Sequence, residues 1–255
     1  MKKGRRGFTL VEVAIFLAIT GILFIGITVG VQNSVYQQRR NDSVQSFIEF
    51  LRNVYSEVEN VQNSVPEGRS EKAIYGKLVT FGESLDLEYN GTGDQDKIFV
   101  YTVVGDVGSP SGDTLVALKD LHTDILYNGQ LMGYPETFIP KWGSTIDPAC
   151  PSGSGCDYKP LKASLLVVRH PSSGVVYTYY KSGVIDVNAL RKSGASVILG
   201  DFSGFGLQQV DFCVNPEGRA NVDDRMDVRI VNRAHNASAI EQVPDYDNLC
   251  GARKI

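Results

Sequence analysis

Between residues 8 and 31 the sequence contains a single ionisable side chain, Glu12, and only Thr9, Thr20 and Thr28 are otherwise polar among its 24 residues. A carboxylate near the start of a lipid-embedded helix costs on the order of a few kcal/mol, so its default reading is functional. The chemistry open to it is neutralisation by protonation or by charge pairing, and the cations near it in sequence all precede it. Other candidates lie downstream. Four cysteines, Cys150, Cys156, Cys213 and Cys250, offer disulfides or a metal site. Three histidines, His122, His170 and His235, stand in no ligand or nucleophile motif. No Gly-x-Ser-x-Gly, phosphate loop or His-Glu-x-x-His occurs. The expectation is therefore a protein that is not an enzyme, with no catalytic residue.

The element that must position Glu12 is a helix. Residues 8–31 cover the roughly 30 Å hydrocarbon core of a bilayer at about 1.5 Å per residue. A short basic leader precedes them, with Lys2, Lys3, Arg5 and Arg6 before Gly7. A secretory signal would have an apolar stretch of only about 7–15 residues, closed by small residues at a cleavage site. Here the apolar run is longer, and the small residue, Gly7, comes before it. After residue 31 the sequence turns polar through Arg39 and Arg40. Val44, Phe47, Ile48, Leu51, Val54, Tyr55, Val58 and Val61 then recur at spacings of three and four. That stripe predicts an amphipathic continuation of the same helix to about residue 62, ended by Val65-Pro66-Glu67-Gly68. Gly21, Gly26 and Gly30 weaken the membrane half as a helix but let helices approach closely.

The run Gly7-Phe8-Thr9-Leu10-Val11-Glu12, with the basic leader before it and the apolar helix behind it, resembles the class III signal of type IV pilins and pseudopilins. The resemblance implies cleavage between Gly7 and Phe8 by a membrane prepilin peptidase and N-methylation of the new amine on Phe8. It also implies retention of the helix, and an assembly role for Glu12 opposite the Phe8 amine of a neighbouring subunit. Four domains follow: the leader (residues 1–7), a transmembrane helix (8–31), its amphipathic continuation (32–62) and an extracellular head (63–255).

From residue 73 the pattern changes to short strands between turn residues. Strands are expected at 73–81, 84–89, 97–104, 115–118, 163–169, 175–180, 197–199, 207–214 and 226–231. Residues 183–186 could extend the sixth of these, and residues 120–148 read as loop with a short strand or turn of helix. The fold class is α+β: a long N-terminal helix packed on a mainly antiparallel β head. The stretch Val210-Asp211-Phe212-Cys213-Val214-Asn215-Pro216-Glu217-Gly218-Arg219, with the strand after it, resembles the C-terminal half of the GspH/FimT group of minor pseudopilins.

Four cysteines outside the membrane predict disulfides. Three pairings exist, and Cys150–Cys156 with Cys213–Cys250 is favoured. The first closes a small Pro/Gly/Ser loop and the second ties the tail to a strand. Zinc is the rival, but no Cys-x-x-Cys occurs and the histidines are scattered. No metal site or cofactor is assigned. The oxygen-rich runs at residues 90–96 and 245–248 suit calcium in kind, but neither completes a calcium loop, and both read as solvated turns. The chain has 25 Lys and Arg against 29 Asp and Glu. With the four leader cations removed, 21 face 29, a net charge of −8. An acidic head argues against nucleic acid as a partner. The basic run Arg225, Arg229, Arg233 and His235 is the local exception, interleaved with Asp223, Asp224 and Asp227.

Together these features and the resemblance predict a structural subunit of a type IV pilus filament, of the minor kind. It would begin in the inner or cytoplasmic membrane as a single-pass protein and end in an extracellular pilus. Its partners would be other pilin subunits, the prepilin peptidase, and a platform protein with its ATPase. The alternatives are a pseudopilin of a secretion or DNA-uptake machine and a tethered adhesin that never polymerises.

Overall fold

The computed structural model describes residues 9–60, 72–82, 97–106, 122–123, 126–127, 130–131, 136–148, 161–169, 174–183, 209–215, 226–231, 234–243 and 250. One helix, α1 (Leu10–Glu59), opens the chain. Its 50 residues span about 75 Å. The chain divides into two compact units with the boundary after Asp42, inside this helix. The reason is the stripe: Val44, Phe47, Ile48, Leu51, Val54, Tyr55 and Val58 are all buried and form the helical side of the head's core. Val61, the last residue of the expected stripe, lies outside the described residues.

The helix end is held by a strand residue. Arg169 Nη1 donates to the Glu59 carbonyl at 3.1 Å. A cation there suits the negative end of the helix and satisfies one of its last carbonyls. Asn60 Nδ2 bonds back to the Ser56 carbonyl at 2.9 Å as the chain turns. The expected stop at residues 65–68 lies outside the described residues.

Among the described residues twelve strands follow: β1 (Lys72–Phe81), β2 (Ile98–Asp106), β3 (His122–Thr123), β4 (Leu126–Tyr127), β5 (Gln130–Leu131), β6 (Glu136–Phe138), β7 (Thr145–Pro148), β8 (Ala163–Arg169), β9 (Val176–Ser182), β10 (Val210–Asn215), β11 (Met226–Ile230) and β12 (Ile240–Val243). The first sheet has the order β3-β2-β1-β8-β9, with β6 also on β2. The second has the order β12-β11-β10-β7, and β4 and β5 form a separate pair. Every pairing is antiparallel. The α+β class read from the sequence is the class observed.

Side-chain alternation sorts each sheet. In the first, Val79, Phe81, Ile98, Val100, Leu165 and Val167 join the core with the helix. The opposite face, with Leu78, Phe99, Tyr101, Leu166 and Val168, is buried as well. Burial on both faces explains why β8 reads as an almost unbroken apolar run. β1 and β8 meet so closely at Gly76 that a Cβ there would lie 2.0 Å from the Val167 carbonyl oxygen. In the second sheet, Ile146, Phe212, Val214, Val228, Ile230 and Ile240 face the core. Phe47 of the helix meets both sheets, edge-on to Phe81 at 6.4 Å and to Phe212 at 5.8 Å.

Polar contacts fix the helix in register. Tyr55 lies fully buried, with its hydroxyl 2.6 Å from Thr178 Oγ1 on β9. The Thr178 hydroxyl donates to the Ala234 carbonyl at 3.0 Å, so the Tyr55 hydroxyl is the donor to Thr178. Burial pushes the Tyr55 phenol far above its ordinary pKa. Lys77 on β1 bridges Glu57 of the helix (3.0 Å) and Glu136 of β6 (3.2 Å). Burial acts to lower the Lys77 pKa, but the hydrogen bonds and charges of Glu57 and Glu136 outweigh it and raise the ammonium above its ordinary value.

Candidate functional site

The N-terminal stretch is built around a reciprocal pair. Thr9 precedes the helix, and its carbonyl accepts the first helical bond from Val13 N–H at 3.2 Å. Its backbone N–H donates to Glu12 Oε2 at 2.8 Å, and its hydroxyl donates to the same oxygen at 2.9 Å. In return, Glu12 N–H donates to Thr9 Oγ1 at 3.3 Å. This is a capping box, in which residues three apart satisfy each other's orphan donors at a helix start. The carboxylate also sits at the positive end of the helix dipole. Glu12 thus has a local partner that the sequence reading did not assign to it. The signal was present as Thr-x-x-Glu ahead of an apolar run. Gly7 and Phe8, the expected cleavage and methylation positions, lie outside the described residues.

Behind the cap, the helix is long and apolar enough to cross a membrane. Leu10, Phe16, Ile22, Phe24 and Ile27 are each at least 65 % exposed in the isolated chain. The remaining hydroxyls turn inward: Thr20 and Thr28 donate to the carbonyls of Phe16 and Phe24, both at 2.8 Å. Every polar side chain described between Thr9 and Val31 is therefore bonded to its own helix or cap, as a hydrocarbon setting demands. At Gly21, Gly26 and Gly30 a Cβ would meet nothing within 4 Å, so no packing among the described residues requires these glycines.

The head contributes a second structural site. Cys213 on β10 is joined to Cys250 by a disulfide, with Cα atoms 5.3 Å apart. This is the pairing favoured from the sequence. Both cysteines are buried, so the bond ties the tail to the side of the second sheet away from the helix. Asp147, Asn215 and Asp227 are buried on that same side. Asn215 Nδ2 donates to Asp147 Oδ2 at 3.3 Å. Cys150 and Cys156 lie outside the described residues.

The remaining sequence candidates do not come together. Arg229, central to the basic run, is paired with Asp211 and, at 3.6 Å, with Asp227. Its charge is matched within the sheet, while Arg225 and Arg233 lie outside the described residues. His122 is on β3 and His235 is exposed near β12; His170 lies outside the described residues. Both oxygen-rich runs, residues 90–96 and 245–248, also lie outside. Among the described residues no three His, Cys, Asp or Glu side chains are grouped to hold a metal ion.

Residues 2–28 match the prokaryotic N-terminal methylation motif. No curated protein and no solved structure matches the chain. The matched segment takes in the basic leader, the Gly7-Phe8 junction, the Thr9–Glu12 cap and most of the exposed apolar helix. The chain carries the N-terminal signal of the type IV pilins and pseudopilins, set on the long apolar helix that this signal heads.

Proposed function

We propose that the protein is a structural subunit of a type IV pilus, of the minor kind, built into the filament through α1 and displaying its head outside the cell. The observation that carries this reading is the methylation motif on a helix whose apolar membrane-length stretch is unburied among the described residues. Such a surface needs lipid before assembly and other helices after it. A prepilin peptidase would cut between Gly7 and Phe8, and the new amine would be methylated. The N-terminal amine of a neighbouring subunit, equivalent to that of Phe8, would then pair with Glu12, rewarding the correct axial step because desolvated opposite charges attract strongly. A platform protein and a separate ATPase would supply the lift, since the sequence holds no phosphate loop. The Cys213–Cys250 disulfide supports an oxidising location for the head. No catalytic residue, metal or cofactor enters the mechanism. The head's role, whether adhesion, motility or uptake, depends on surfaces beyond the site described.

The test is to shear cells, isolate filaments and quantify this chain by mass spectrometry. Recovery in the filament pool at a level below the main building block supports the minor-subunit reading. Recovery only in membranes refutes filament incorporation and leaves a tethered protein. A filament present only in cells with an active secretion apparatus moves the assignment to pseudopilin.

A further inference from the structure

Asparagine followed two residues later by serine or threonine is an acceptor pattern for N-linked sugar, provided the middle residue is not proline. The chain has three such triplets: Asn41-Asp42-Ser43, Asn90-Gly91-Thr92 and Asn236-Ala237-Ser238. The first lies on α1, where residues two apart do not face each other. Its Ser43 is also buried, and the Ser43 hydroxyl donates to the Lys141 carbonyl at 3.2 Å. The second lies outside the described residues. The third lies in the turn between β11 and β12, and there the two side chains meet.

Asn236 Oδ1 accepts from Ser238 N–H at 3.1 Å and from the Ser238 hydroxyl at 2.6 Å. The N–H bond alone would make an ordinary Asx turn. The hydroxyl adds a second donor on the same oxygen. Neither bond uses Asn236 Nδ2, which has no hydrogen-bond partner among the described residues and is not a buried atom. Ser238 is exposed and Asn236 is partly so. The backbone holds the pair in place: Ala239 N–H donates to the Asn236 carbonyl at 3.1 Å, and Val231 N–H donates to the Ala239 carbonyl at 3.0 Å.

An amide nitrogen is a poor nucleophile, because its lone pair is shared with the carbonyl. It becomes competent as it gives up a proton, and negative charge then builds on the carbonyl oxygen. Donors already aimed at that oxygen stabilise the charge without reorganising. Ser238 supplies two of them, which gives the two-residue spacing its physical reason.

We propose that Asn236 is a site of N-linked glycosylation, with Ser238 as its positioning residue and a glycosyl diphosphate as the sugar donor. Nδ2 attacks the anomeric carbon of the donor. The C–N bond forms as the anomeric C–O bond breaks, the electron pair leaves with the diphosphate, and the Nδ2 proton passes to a base of the transferase. The proposal goes beyond the filament reading and is tested apart from it, since the chain can be taken from membranes or from filaments.

The full chain is purified from its own cells, reduced, digested and sequenced by electron-transfer fragmentation, which keeps sugars on their residues. A glycosyl mass on Asn236 that survives mild alkaline β-elimination is expected. An unmodified Asn236, or an alkali-labile sugar on Ser238 instead, overturns the proposal. Ser238→Ala keeps the backbone N–H bond but removes the hydroxyl. Losing one donor at an oxyanion site slows a reaction about a hundredfold, so occupancy should collapse and Ser238→Thr should restore it. Thermal unfolding of the unmodified Ser238→Ala and wild-type chains should coincide, because Ser238 is exposed. Full occupancy in Ser238→Ala overturns the positioning role. Unmodified chain made in a foreign host then identifies the donor. Labelling by native membranes marks a lipid-linked sugar, and labelling by the soluble fraction with nucleotide sugars marks a nucleotide-linked one. Labelling by neither contradicts the proposal.

Discussion

The Thr9–Glu12 cap makes it possible to separate two roles of one carboxylate. Glu12→Gln keeps an oxygen that can accept from Thr9 N–H, because glutamine also serves in a capping box. It removes the charge available to a Phe8 amine. Glu12→Ala removes both. In the structure the cap consists of bonds at 2.8, 2.9 and 3.3 Å. Losing a cap of this kind costs about 0.5–2 kcal/mol, a few-fold to about thirtyfold in an equilibrium. Breaking a desolvated charge pair from one side costs about 3–5 kcal/mol, a hundredfold or more. If charge pairing governs assembly, Glu12→Gln and Glu12→Ala both fall about a hundredfold or more in the sheared-filament pool. Both should still reach the membrane and be cleaved, as intact mass would show. Should Glu12→Gln enter filaments at wild-type levels while Glu12→Ala does not, the cap is the working part and the amine pairing is wrong.

Phe47→Ala empties a fully buried site between the two sheets and should lower stability by about 3–5 kcal/mol in denaturant titration of the full chain in detergent; a loss under 1 kcal/mol would contradict the packing of the helix as core. Replacing Cys213 and Cys250 together with alanine opens a separation of 37 residues, worth about 4 kcal/mol in the chain-entropy model, and the shift in the urea midpoint measures it. The head should also weaken above about pH 10. Lys77 and Tyr55 both have folded-state pKa values above their unfolded ones. Their contribution is complete below the unfolded values and is lost as pH rises through the folded ones. Thermal unfolding followed from pH 8 to 11 should show this decline, and Tyr55→Phe with Lys77→Met should flatten it.

The long helix and the central strands were legible because burial writes a pattern into the sequence. The stripe from Val44 to Val58 is the core face of α1, and residues 163–169 are β8 end for end. Strands β7 and β12 were not expected as such. Thr145-Ile146-Asp147-Pro148 carries an acid and a proline, both poor strand signals. In Ile240-Glu241-Gln242-Val243 the central pair is polar and exposed. Pairing to β10 and β11 recruits these segments, and that information lies in the partner strands. The burial of Asp147 and Asp227 was illegible for the same reason, since carboxylates ordinarily read as surface. At the N-terminus the limit was different. Glu12 drew an assembly role from the pilin resemblance, and its nearer partner Thr9 was passed over.

The central claim is that this chain is a processed filament subunit, and the mass of the chain recovered from sheared filaments tests it most directly. The account predicts a polypeptide beginning at Phe8, heavier by one methyl group, with all of residues 1–7 absent. A filament-borne chain that retains the leader, or a processed chain confined to the membrane fraction, would contradict it.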